Sequence, residues 1–130
     1  MKLKLNNKGQ AGLTLIEVTL VIAVLLGLIS VLFIGVAAYK KGSDRAKCIL
    51  NISTVQKAVR SYQNLYELSI GDTLASTDIA GAGKMIESTP ACPSSGTYTF
   101  GTAVPAAGAA YLTCSLATSD DHVPSTTAGW

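Results

Sequence analysis

The chain has 130 residues, of which 48% are apolar and 14% charged, with a formal net charge of +2. That small excess hides three zones: Lys2, Lys4 and Lys8 at the start, six basic against two acidic side chains over 40–67, and one against five from Leu68 onward. The acidic last zone excludes a nucleic-acid surface there, because phosphate binding needs clustered Lys or Arg.

The first twelve residues, MKLKLNNKGQAG, are basic, polar and too short to fold. From Leu13 to Tyr39 the chain is apolar apart from glycines, Thr14, Thr19, Ser30 and a single charge, Glu17. About 20 apolar residues suffice for a helix to cross a bilayer, so this stretch is long enough. A basic leader before such a run stays cytoplasmic, but Lys40 and Lys41 flank the other end, and charge alone leaves orientation open. An ordinary secretory signal cut near Ala38, or a plain anchor, fits the leader too. Against a secretory signal stand the length of the run, beyond a usual 7–15-residue apolar region, and the presence of Glu17.

Gly12-Leu13-Thr14-Leu15-Ile16-Glu17 resembles the prepilin cleavage motif of type IV pilins and pseudopilins. That motif is a glycine, an apolar residue and T-L-x-E before a long apolar helix, and Lys8 supplies the basic residue upstream. The resemblance covers residues 8–39 and implies cleavage after Gly12 by a membrane-embedded prepilin peptidase, with N-methylation of the new first residue, Leu13. Leucine is a less usual first residue than phenylalanine or methionine, and Gly9-Gln10 offers a second, lower-ranked cut. A carboxylate within a bilayer costs about 2.5–3.5 kcal/mol, so it usually has a partner or a purpose. Glu17 would either snorkel to the interface near the helix start or, as the resemblance implies, pair with the freed α-amine of Leu13 on a neighbouring subunit.

No proline occurs between Gly12 and Thr89, so nothing forces a break after the apolar run. Cys48, Ile52, Val55, Val59, Tyr62 and Tyr66 follow one another at helical spacing and form one apolar stripe. The expected element is a single helix from about Leu13 to Tyr66, on the order of 80 Å long, with Gly42-Ser43-Asp44 the favoured bend. About three heptads with scattered charges give a coiled coil only weak support. Cys48 on the stripe reads as a small buried apolar residue.

Ser69–Asp72 ends the helix. A short helix capped by Thr77 or Asp78 and running through Ile79, Met85 and Ile86 is expected next, weakened by Gly81 and Gly83. Thr97-Tyr98-Thr99-Phe100 and Ala110-Tyr111-Leu112-Thr113-Cys114 alternate and are separated by turn residues, which predicts a β-hairpin. An isolated hairpin is marginal, so Tyr98 and Phe100 should cover the helix stripe. The fold class is therefore α+β: a leader over 1–12, a membrane half of the helix over 13–39, an amphipathic half over 40–67 and a small head over 68–130. Trp130 should cover the hairpin or reach a neighbour.

Cys92 and Cys114 flank the hairpin near its open end, which predicts a disulfide closing a loop of about 20 residues, worth on the order of 3 kcal/mol. C-P-S-S-G-T-Y-T before a second cysteine also resembles the C-terminal part of some bacterial pilin-like proteins, with Ser95 where they carry a glycine. Cys92, Cys114 and His122, with Cys48, are the residue types of a zinc set, but none has paired C-x-x-C or H-x₃-H spacing, so no metal or other cofactor is expected. Asp120-Asp121 are too few ligands for calcium. No nucleophile–base set or phosphate loop stands out, so no catalytic residues and no enzyme are expected.

The resemblance implies a structural subunit held in a bacterial inner membrane, N-terminus cytoplasmic and head periplasmic, then drawn into a pilus or pseudopilus at the cell surface. Its partners would be copies of itself, other pilin-like subunits, the pilus or type II secretion machinery and lipid, with no direct nucleic-acid contact. A monomeric anchored binding module and a soluble secreted domain are the alternatives from other classes.

Overall fold

The computed structural model describes residues 8–130, with side chains described from Thr14 onward. Lys2 and Lys4 of the leader lie outside the described residues. The element order is a long helix α1 (Lys8–Leu65), a one-turn helix α2 (Ser76–Ile79), and strands β1 (Tyr98–Phe100) and β2 (Leu112–Cys114). The chain divides into two units, one ending at Lys40 and one spanning Lys41–Trp130.

In the first unit every residue from Thr14 to Lys40 is exposed, large apolar side chains included. An 18-residue window of α1 reaches a mean hydropathy of 3.0 with none of it buried, so the helix is long and apolar enough to cross a membrane. Its hydroxyls are satisfied within the helix: Thr19 Oγ1 donates to the Leu15 and Ile16 carbonyls, each at 2.9 Å, and Ser30 Oγ to that of Leu26 at 2.8 Å. That internal pairing is what a polar group surrounded by hydrocarbon needs.

In the second unit α1 presents the expected stripe, with Cys48, Ile52, Val55 and Val59 all at most 2% exposed. The stripe stops one step early: Tyr62 packs against the core, whereas Tyr66 is 57% exposed. Tyr66 stacks instead on Tyr62, ring centroids 4.3 Å apart. Helical structure continues through Gly42–Asp44 and ends at Leu65, after which Glu67 takes a φ of 53° and Leu68 N–H donates to the Gln63 carbonyl at 2.9 Å. This left-handed turn closes the helix as a C-terminal cap does.

The expected short helix is present but ends at Ile79, short of Met85 and Ile86. Asp78 Oδ2 accepts the Ala75 N–H at 2.9 Å and fixes its start. Ile86 N–H then donates to the Ile79 carbonyl and Gly81 N–H to that of Ile86, closing a tight loop where Gly81 and Gly83 adopt positive φ. A helix cannot run through that backbone at ordinary cost.

The hairpin forms as read, antiparallel, with Tyr98 opposite Cys114 and Phe100 opposite Leu112. The segment 71–74 adds an irregular third edge. Gly71 and Leu74 donate to the Val104 and Thr102 carbonyls, Val104 donates to that of Asp72, and Thr73 bridges Ala103. The core therefore lies between the α1 stripe and the hairpin, with Leu74, Ile79, Val104, Tyr111 and Leu112 filling it. Gly101 lets Tyr111 in: a Cβ there would sit 2.9 Å from its ring.

Candidate functional site

Four reactive side chains from four segments meet in the second unit. Cys48 comes from α1, Cys92 from the turn after Pro90, Cys114 from the end of β2 and His122 from the segment that follows. All four are buried and their ligand atoms lie within 4.8 Å of one another. Cys92 Sγ is 3.8 Å from Cys114 Sγ and 3.5 Å from His122 Nδ1, and Cys114 Sγ is 4.0 Å from that same nitrogen.

The local sequence explains the convergence. Helical phase puts Cys48 on the inward stripe one turn before Ile52. Pairing of Cys114 with Tyr98 fixes it at the open end of the hairpin. Cys92-Pro93-Ser94-Ser95-Gly96 forms a turn in which Ser95 N–H donates to the Cys92 carbonyl and Ser95 itself has a φ of 63°. Gly96 closes it, because a Cβ there would stand 2.9 Å from Cys114 Sγ and 3.0 Å from Cys92 Sγ. His122 is delivered by a turn in which its N–H donates to the Leu116 carbonyl and Arg45 Nε donates to the Asp121 carbonyl at 2.9 Å.

The electrostatics differ from thiol to thiol. Burial pushes the Cys48 thiol up to about 12, with hydrogen bonding from Tyr98 opposing part of that rise. Burial also raises Cys92, but the backbone N–H groups of Ser94 and Gly96 and the neighbouring thiols outweigh it and leave its pKa lowered. Tyr98 Oη donates to Cys48 Sγ at 3.3 Å and accepts from Asn51 Nδ2 at 3.2 Å. The Tyr98 hydroxyl is thus aimed at sulfur.

The structure adds to two sequence expectations here. Cys92 and Cys114 are brought together as the sequence predicts, with their sulfurs 3.8 Å apart. A third thiol and an imidazole share their space. Cys48 is fully buried as expected, yet it belongs to this polar cluster as well as to the apolar stripe. Paired spacing is absent because each of the four side chains arrives on a different segment.

Glu17 lies on an exposed turn of α1 in the first unit. Gly12 is within α1, while the side chain of Leu13 lies outside the described residues. Asp120 lines a pocket of about 400 Å³ with Lys41, Arg45 and His122, a basic setting that does not suit calcium. Trp130 packs against the core, and its carbonyl accepts from Gly108 N–H and from Arg60.

Two organising residues escaped the sequence reading. Gln56 is 3% exposed; its Nε2 donates to the Ala109 carbonyl at 3.1 Å and its Oε1 accepts the Tyr111 N–H at 2.9 Å. Arg60 donates to the carbonyls of Pro105, Ala106 and Trp130 and to Gln63 Oε1. The one available signal was their position beside the stripe, one turn apart. Comparison of the chain with protein-family models finds no match, and neither curated proteins nor solved structures match it.

Proposed function

We propose that the chain is a structural subunit of a type IV pilus-like or pseudopilus filament. The observation that carries the reading is the Gly12-to-Glu17 motif near the start of a helix whose 27 positions from Thr14 to Lys40 bury nothing, with a head after it. Twenty-seven exposed, mostly apolar positions are too much surface for a free soluble chain. A bilayer covers them first, and packing among copies of the same helix covers them in the filament. In this reading prepilin peptidase cuts after Gly12 and Leu13 becomes the methylated first residue. The Glu17 carboxylate then meets the α-amine of a neighbour's Leu13, an ion pair that becomes available after cleavage and in correct register. The remaining partners are other pilin-like subunits and the machinery that extracts the helix from the inner membrane.

Sequencing the mature N-terminus tests the reading. Leu13 is expected; a start near Tyr39 would mean secretion, and an intact Met1 a plain anchor, and either would sink it. Glu17→Ala should insert in the membrane normally and fail to enter filaments.

A further inference from the structure

We propose that Cys48, Cys92, Cys114 and His122 bind one zinc ion as a closed, structural Cys₃His site. Four ligand atoms within 4.8 Å of one another supply the full coordination number of structural zinc. With metal–sulfur bonds of about 2.3 Å and a metal–nitrogen bond of about 2.0–2.1 Å, a tetrahedron has S–S edges of about 3.8 Å and S–N edges of about 3.5 Å. The observed separations are 3.8 Å for Cys92 to Cys114, 3.5 Å for Cys92 to His122 and 4.0 Å for Cys114 to His122. Two thiols in simple contact stand about as far apart, so the case rests on the other groups.

The imidazole presents Nδ1, a ligand nitrogen, to both Cys92 and Cys114. The Tyr98 hydroxyl donates to Cys48 Sγ at 3.3 Å, where a thiolate accepts far more strongly than a thiol. Such an outer donor holds a metal-bound ligand in place. On binding, zinc displaces three thiol protons to solvent and leaves one net negative charge, beside a pocket lined by Lys41 and Arg45. Three soft thiolates and an imidazole select zinc over magnesium or calcium. With all four positions filled by protein and all four residues buried, no site remains for substrate, so the metal's role is to hold the fold. It would tie α1, through Cys48, to the turn at Cys92, which is itself 22 residues before Cys114 on the hairpin and 30 before His122 in the C-terminal segment.

The cluster lies wholly within residues 41–130, so the proposal does not depend on filament assembly. The test is elemental analysis of the full chain purified in detergent under reducing conditions, with cobalt(II) substituted as a spectroscopic probe. About one zinc per chain is expected, and cobalt should give the intense visible bands of a tetrahedral thiolate site. His122→Cys should keep the stoichiometry and shift those bands toward an all-sulfur pattern, which shows that position 122 is a ligand in a folded chain. Cys48→Ser and His122→Ala should lose the tetrahedral spectrum. The proposal fails if the reduced wild-type chain holds no stoichiometric zinc, or if Cys48→Ser keeps the unaltered cobalt spectrum. It also fails if alkylation and mass spectrometry find the isolated chain metal-free with Cys92 joined to Cys114.

Discussion

Replacing Gln56 with leucine tests how much of the head's order depends on polar side chains of α1. Leucine matches the aliphatic part of glutamine and is the better helix former, so any loss comes from the amide. Gln56 holds the Tyr111 N–H at 2.9 Å and the Ala109 carbonyl at 3.1 Å. Tyr111 is 2% exposed, so its N–H would be left buried and unpaired, at about 1–3 kcal/mol. The Ala109 carbonyl belongs to an exposed residue and can turn to water, which limits its share to about 0.5 kcal/mol. Added helix propensity and apolar burial return only a fraction of this. The expected loss is about 2 kcal/mol, or roughly 8–16 °C in Tm for a unit of this size. Urea unfolding of the full chain in detergent, followed by the single Trp130 that packs on the same core, measures it. A change below about 0.5 kcal/mol would refute the claim that the head depends on this amide's two hydrogen bonds. Gln56→Glu separates hydrogen bonding from shape, since it keeps an acceptor for Tyr111 but turns an oxygen toward the Ala109 carbonyl. Its deficit should therefore shrink at low pH, where a protonated carboxyl can donate again.

Gly96→Ala should destabilise the head by about 1–3 kcal/mol, because its Cβ would stand 2.9 Å from one cysteine sulfur and 3.0 Å from another in a packed site; thermal unfolding reads it. Arg60→Met should cost about 1–3 kcal/mol, since it removes donors from three carbonyls, and Trp130 emission should shift red as the C-terminal segment loosens. Burial, with Asp78 nearby, raises the Tyr111 pKa, and its hydroxyl donates to the Leu74 carbonyl at 2.8 Å. A raised folded value means that its contribution is fully present below the unfolded pKa of about 10 and is lost as pH climbs through the folded value. Tyr111→Phe should accordingly flatten the alkaline limb of the stability–pH curve; an unchanged limb would assign that loss elsewhere.

The helix was legible because two strong signals coincide along it: an unbroken apolar run, then a stripe at helical spacing, with no proline in between. The hairpin was legible for the same kind of reason, alternation on either side of turn residues. The stripe's last step failed at Tyr66, which stays exposed and stacks on Tyr62, because spacing says nothing about what covers a face. The short helix was overextended past Ile79 because Met85 and Ile86 continue an apolar pattern that Gly81 and Gly83 interrupt with positive φ. The cysteines were the harder case. A pair flanking a hairpin reads as a disulfide, and nothing in the interval between Cys48 and Cys92 announces that α1 delivers a third sulfur to the same point. Long-range convergence depends on the packing of all four segments, which no local pattern carries.

That packing follows a simple rule along α1. The head contains only two strands of three residues, so backbone ladders hold little of it. Successive turns of the helix supply what is missing by holding the loops. Arg45 holds the Asp121 carbonyl, Cys48 meets the sulfur and imidazole cluster, and Asn51 holds the Ala91 carbonyl and the Tyr98 hydroxyl. Gln56 holds 109 and 111, Arg60 holds 105, 106 and 130, and Gln63 holds Leu68. The apolar stripe supplies burial but little direction, because many loop arrangements can cover Ile52, Val55 and Val59 equally well. Hydrogen bonds to particular carbonyls discriminate among those arrangements, most strongly at Gln56, where a wrong placement strands a buried polar group. The same helix thus changes its manner of working at about Lys40: from Thr14 to Lys40 every side chain is exposed, and after it a register of polar contacts fixes the loops.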